Sequence, residues 1–402
     1  MAKRTFRLPG EEELNKDQDS VLALPEDGQF LVVGGPGIGK SVVALLRAVK
    51  YHKPGGYVFL TFNKVLNEST RQLVDGFELR SRTIHSWFVK LYQRYFKTNA
   101  LPPEHQPWRY HYDKIIQDIN NTTPQANAFH VIIDEGQDMP VKFYETLIEF
   151  GLENLFVVAD QNQQMTDENS TRQELTDVLG LDPDAVIELK INYRNTRQIA
   201  ALASYFHIDP ASPTQQIPDQ RSLETPTLYE YGHRHDCARM ILREADKDNS
   251  KLIGLIVANN SVRKNYVDAL VSIDIGLDHP RAPIATYPDL DSTGVNIVFS
   301  EAGIVILNAA SVKGLEFDTV FIDLNGFRIV NNDIESMKKK LYVLTSRAID
   351  KLVILKNQTD CGGVDRLLPN DASLLQRKKL EYSHQKRVDD PVDDGFDDDL
   401  PF

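Results

Sequence analysis

A chain of 402 residues with 41% hydrophobic and 26% charged side chains has the composition of a folded globular protein and the length for two domains with separate cores. No apolar run is long enough to span a bilayer, and the opening MAKRTFRLPGEEELNKDQ lacks the apolar stretch of a secretory leader, so a cytoplasmic protein without membrane contact is expected. The net charge of −13 excludes a uniformly basic nucleic-acid binder, but without the seven aspartates of the last fourteen residues the chain carries −6, which is compatible with a local basic groove. Cys237 and Cys361 form neither a disulfide framework nor a zinc spacing.

In chain order, the first strong signal is FLVVGGPGIGKSVVALLRAV. An apolar run, Phe30 to Val33, leads through glycines into a helical pattern, the context in which G-x-x-x-x-G-K-[ST] is a phosphate-binding loop. Backbone N–H groups of the glycine-rich turn and of the helix N-terminus surround phosphate oxygens in such a loop, which makes Gly34, Gly35, Pro36, Gly37, Ile38, Gly39 and Val42 candidate nucleotide-binding residues; Lys40 reaches the terminal phosphates, and the Ser41 hydroxyl binds Mg²⁺.

Further short apolar runs at 57–62, 130–135 and 154–160 read as buried parallel strands, separated by amphipathic helices such as MPVKFYETLIEFGL. They predict a doubly wound α/β domain over residues 1–190. The run VIIDEGQD ends in Asp134 and Glu135, which places two carboxylates at the carboxyl edge of that sheet. Asp134 is the candidate Mg²⁺ ligand and Glu135 the candidate base for an attacking water.

A second series, 251–259, 303–309, 318–324 and 351–357, is again strand-like, with helices over SVRKNYVDALVSI and SMKKKLYVLTSRAI, and predicts a second α/β domain over 191–368. HRHDC at 233–237 invites a metal reading through His233, His235 and Cys237, against which stands the lack of a second ligand cluster. Residues 369–402 read as a charged linker or helix followed by an acidic tail, disordered from 388 onward.

Taken in order, the motifs resemble those of UvrD/Rep-like superfamily 1 DNA helicases from about residue 14 to 357. LNKDQDSV is similar to the family's Q-motif, LTFNKVL and TIHSWF to motifs lining its DNA groove, DEGQD to DEAQD, and VVADQNQQM to its third motif; NYRN, SVKGLEFD and LYVLTSRA complete the series. The resemblance implies two RecA-like P-loop NTPase domains with parallel sheets, and the short intervals before VIIDEGQD and after NYRN imply that accessory insertions are reduced or absent. It implies ATP and Mg²⁺ as cofactors and single-stranded DNA as partner, with the chain acting as a monomer.

The same resemblance implies residue roles. Gln18 reads adenine and Tyr193 stacks on it; Gly314 and Glu316 lie at the nucleotide, Glu316 on the ribose. Gln163 connects the γ-phosphate to the DNA groove, and Arg194 and Arg347 contact the γ-phosphate as arginine fingers. Phe62, Asn63, His85, Trp87 and Lys313 are DNA contacts, with core packing the competing reading for Phe62 and Trp87; Lys338 to Lys340 either touch phosphates or form a solvated face. Met165, Thr166 and Ala310 stand where the family has an aromatic and a histidine, so grip on the strand is expected to differ.

The implied activity is ATP-driven translocation or unwinding, 3′ to 5′, in DNA repair, replication or defence. The alternative is an ATP-switched DNA-binding adaptor or sensor with little unwinding; an RNA-directed motor is a third reading. The end GFDDDLPF is similar to the tip of bacterial single-stranded-DNA-binding protein. It implies that Asp397, Asp398, Asp399, Leu400, Pro401 and Phe402 dock onto proteins with a pocket for that tip, or fold back over the chain's own groove as a gate; a solubility tail accounts for the aspartates alone.

Overall fold

The computed structural model describes residues 6–51, 56–74, 77–106, 109–122, 127–163, 169–182, 185–208, 216, 224–287, 294–359 and 362–380. Met165, Thr166 and Cys361, and the tail residues Asp397 to Phe402, lie outside them. The described residues divide into two compact units, one of residues 6–194 with 207, 208 and 216, and the other of residues 195–206 with those from 224 to 380. The chain changes unit between Arg194 and Asn195, and residues 207, 208 and 216 belong again to the first unit.

In the first unit the elements follow as α1 (Lys16–Leu22), β1 (Gln29–Val33), α2 (Lys40–Lys50), β2 (Tyr57–Thr61), α3 (Lys64–Leu73), β3 (Ser81–Thr83), α4 (Ile84–Tyr95), β4 (Glu104–Gln106), β5 (Arg109–Tyr110), α5 (Tyr112–Asn120), β6 (Asn127–Ile133), α6 (Val141–Glu149), β7 (Leu152–Ala159), α7 (Arg172–Val178) and β8 (Ile187–Glu188). Six strands form one parallel sheet in the order β3-β2-β6-β7-β1-β8. Between α4 and β6 the described chain makes only the small antiparallel pair β4–β5 and α5.

Strands covered on both faces need apolar residues at every position rather than every second one, and β2 is buried along its whole length. Period two then sorts the side chains. Leu31, Val33, Val58, Leu60, Val131, Ile133, Leu155 and Val157 face one core together with Trp87, Phe88 and Phe143. Val32, Tyr57, Phe59, Ile132, Phe156 and Val158 face the other, against Val43 and Ala44 of α2. Each such side chain contributes roughly 1.5–3 kcal/mol by leaving water.

Register decides where the strands end. Val33 lies beside Ala159 and Glu188, and Ile133 beside Val157 and Leu60. The carboxyl ends of β1, β6, β7 and β8 are therefore near one level, and the segments after them share one edge of the sheet.

The second unit contains α8 (Arg197–Tyr205), β9 (Thr227–Tyr231), α9 (Arg234–Lys247), β10 (Leu252–Val257), α10 (Asn260–Ser272), β11 (Ile284–Tyr287), β12 (Gly303–Asn308), β13 (Phe317–Asp323), α11 (Ile334–Thr345), β14 (Ala348–Asn357) and β15 (Gln376–Leu380). Its seven strands are parallel in the order β11-β12-β10-β13-β14-β9-β15. Both units are α/β domains of the RecA-like kind. Residues 376–380, read from the sequence as linker or helix, are instead an exposed edge strand paired with β9. Among the described residues no helix is long and apolar enough to cross a membrane.

At the end of β13, Asp323 is fully buried and accepts from the Tyr231 hydroxyl at 3.1 Å and from the Asn325 N–H at 3.1 Å. Burial pushes its carboxyl up to about 6, despite these donors, which favour the ionised form. A carboxyl raised from about 3.9 in the unfolded chain holds its proton longer when folded, so stability falls as pH rises from about 4 to 6 and then levels off, by roughly 3 kcal/mol. Asp323→Asn removes that dependence. Urea midpoints measured from pH 4 to 8 should show the variant gaining on the parent over that window; a pH-independent difference would remove Asp323 as the cause.

Candidate nucleotide site

Gly37 and Gly39 adopt φ of 74° and 89° in the loop after β1, a region costly for residues with a Cβ. Space closes the same positions. A Cβ on Gly37 would lie 2.5 Å from Asn192 Oδ1 and 2.8 Å from Arg194 Cβ, and one on Gly39 would lie 2.4 Å from Gln18 Nε2. The loop ends at Lys40, the first residue of α2, so the helix N-terminus and its unsatisfied N–H groups face the sheet edge.

Lys40 is buried, donates from Nζ to the Gly35 carbonyl at 2.7 Å and lies 3.8 Å from Asp160 Oδ2. Burial lowers the ammonium's pKa, and the charge of Arg194 adds to this; Asp160, Glu135 and Asp134 oppose it. Asp160 is displaced the other way, raised by burial against the pull of Lys40. At 3.8 Å the pair therefore offsets only part of the desolvation on either side.

The Ser41 hydroxyl donates to Asp134 Oδ1 at 3.0 Å, and so does the Glu135 N–H. Burial first, then the neighbouring Glu135 charge, pushes the Asp134 carboxyl up to about 7. Glu135 itself sits at φ 57° and ψ 40°, left-handed backbone that a glutamate enters only under constraint from its surroundings. The Tyr144 hydroxyl, donating to Gly136 O at 2.6 Å, supplies part of that constraint.

Gln137, fully buried, links the two carboxylate-bearing segments: its Nε2 donates to Glu135 Oε2 at 2.7 Å and its Oε1 accepts from the Asp160 N–H at 2.9 Å. Gln163 Nε2 donates to Asp160 Oδ2 at 2.6 Å. The structure thus brings together Lys40, Ser41, Asp134, Glu135 and Gln163 among the candidates. It adds Asp160 and Gln137, which the motif reading passed over. Both stand inside quoted motifs, VVADQNQQM and DEGQD, and buried polar groups at the ends of apolar strands are the signal that marks them.

Around this centre, Gln18 belongs to the capping box of α1, accepting from Asn15 N at 3.1 Å, and its Nε2 donates to the Ile38 carbonyl at 3.1 Å. Its amide therefore braces the phosphate loop. The Tyr193 N–H donates to Gly37 O at 2.9 Å while the residue is 50% exposed, an aromatic side chain on which a base can stack. Arg194 N bonds Asn192 Oδ1 at 3.0 Å.

The candidate DNA contacts divide. Phe62 is half-buried. Asn63 caps α3, accepting from Leu66 N at 2.8 Å. His85 is half-buried, its ring 5.8 Å from Tyr110 and its pKa lowered by burial. Trp87 is 9% exposed and packs in the core with Phe88 and Tyr92, the competing reading for this residue, because the inward face of α4 must cover the sheet. Lys313 is also buried rather than presented to solvent, and Lys338 to Lys340 are half-buried.

In the second unit Gly314 has φ 78° and Glu316 is half-buried. Arg347 is buried and donates from Nε to Val343 O at 2.9 Å and from Nη2 to Ser346 Oγ at 3.0 Å. Cys237 belongs to the apolar core of that unit. Among the described residues no three His, Cys, Asp or Glu side chains gather to hold a metal ion. One hydroxyl and one carboxylate, Ser41 and Asp134, fit Mg²⁺ well, since this ion keeps several waters and takes the rest of its oxygens from substrate phosphate.

Residues 18–167 match the AAA domain family. The matched span runs from Gln18 past Gln163, so the loop, the carboxylates and the Asp160 turn all fall inside it. No curated protein matches the chain. Among solved structures, the C-terminal domain of a possible DNA helicase from Lactobacillus plantarum WCFS1 aligns at 16% identity over 46% of this chain and 98% of its own, with a TM-score of 0.33.

Proposed function

We infer that the protein is an ATP-driven superfamily 1 DNA motor of the UvrD/Rep-like kind, which hydrolyses ATP while moving 3′ to 5′ on single-stranded DNA. The observation that carries this reading is the convergence, at one edge of the first sheet, of the phosphate loop, the Ser41–Asp134 pair, Glu135 and the Asp160–Gln163 turn. These segments follow one another in the family's motif order.

Phosphate entering the loop meets the N–H groups at the start of α2 and the Lys40 ammonium, whose charged form a phosphate favours over the buried state without one. Ser41 and Asp134 would hold Mg²⁺, which when bound neutralises phosphate charge. Glu135 accepts the proton of the water that attacks the γ-phosphorus as the bond to the leaving ADP oxygen breaks, and Gln137 holds that carboxylate in place. Arg194 and Arg347 supply positive charge toward the γ-phosphoryl oxygens in this scheme. Tyr193 stacks on the base.

ATPase assayed with single-stranded DNA, duplex DNA and single-stranded RNA tests the assignment, with strand displacement on 3′ and 5′ overhangs for direction. Single-stranded DNA should stimulate turnover most, and no stimulation by any polymer would remove the motor.

A further inference from the structure

Arg347 occupies the turn from α11 into β14, where a helix ends and its last carbonyls lose their intrahelical partners. Here the four consecutive carbonyls are all taken. The Asn195 side chain donates from Nδ2 to Ser346 O at 3.1 Å and to Ala348 O at 2.5 Å. Phe317 N donates to Arg347 O at 3.0 Å, and Thr196 N to Ile349 O at 3.2 Å. Asn195 is 1% exposed, and it comes from a segment far away in sequence.

We propose that Asn195 is a positioning residue for Arg347: its amide, bonded to the carbonyls on either side of that arginine, fixes the backbone from which the guanidinium is presented. The chemistry is specific to an amide. One short side chain must offer two N–H donors from a single nitrogen to two carbonyls separated by one residue; aspartate offers none, and serine offers one. The proposal rests on the reading of Arg347 as a group acting on the γ-phosphate.

The test is a double-mutant cycle on the full chain with Asn195→Ala, Arg347→Ala and the pair, reading kcat, KM, nucleotide affinity and melting temperature. Asn195→Ala should lower kcat about ten- to a hundredfold, leave nucleotide affinity within about twofold, and add less than about twofold in the Arg347→Ala background, because a misplaced group has nothing further to lose once removed. Asn195→Ser, keeping one donor, should recover part of the loss and stands in for the alanine variant if that one does not fold. Unchanged kcat in the Asn195 variants, with Arg347→Ala impaired, overturns the positioning role and leaves the motor reading intact. Losses that add in the double variant overturn it too, since they mark general damage. Normal turnover by Arg347→Ala overturns the catalytic reading of that arginine and the present proposal with it.

Discussion

Lys40→Ala should lower DNA-stimulated ATP turnover by about 10²–10³-fold, the loss typical when one preorganised positive or donor group is taken from a developing oxyanion. The site explains why the loss is not absorbed. Lys40 Nζ is a cation set among Asp134, Glu135 and Asp160, and removing it leaves these carboxylates to repel the incoming phosphates. KM for ATP should rise together with the fall in kcat. Phosphate release measured with and without single-stranded DNA decides the matter: retained DNA-stimulated hydrolysis would show that the loop does not hold the reacting nucleotide.

Glu135→Gln should separate binding from chemistry. The amide is close in shape to the carboxylate and its oxygen can still accept from Gln137 Nε2, which now lies 2.7 Å from Glu135 Oε2. What it loses is basicity, so turnover should drop about 10²–10⁴-fold with nucleotide affinity kept. Single-turnover hydrolysis beside equilibrium binding of ATP provides both numbers. Full activity in this variant would shift the base to another carboxylate of the cluster, and Asp160, buried beside Lys40, is the one to replace next.

The two predictions draw on different kinds of legibility. Lys40, Ser41, Asp134 and Glu135 are readable from the chain because glycines before a lysine, or carboxylates after an unbroken apolar strand, have few other uses. Asp160 and Gln137 are not readable in that way. An aspartate or glutamine near a strand end is commonplace, and only the level ends of β6 and β7 put the Gln137 amide between Glu135 and Asp160. For Trp87 the sequence left the DNA groove and the core both open, and the helix it stands on buries it.

By itself, then, the amino-acid sequence determined the class of fold and the chemistry of the loop, since fully buried strands demand continuous apolar runs and the phosphate loop demands its glycines and lysine. Tertiary structure alone decided what depends on neighbours distant in the chain. β15, QRKKL, has no apolar pattern and becomes a strand because the edge of β9 offers it unpaired backbone groups. Asn195 is an ordinary polar residue until the fold carries it to the carbonyls beside Arg347. Periodicity records which side of an element faces the core; it holds no record of which polar partner waits there, because a hydrogen bond over 151 positions of chain separation leaves no local mark.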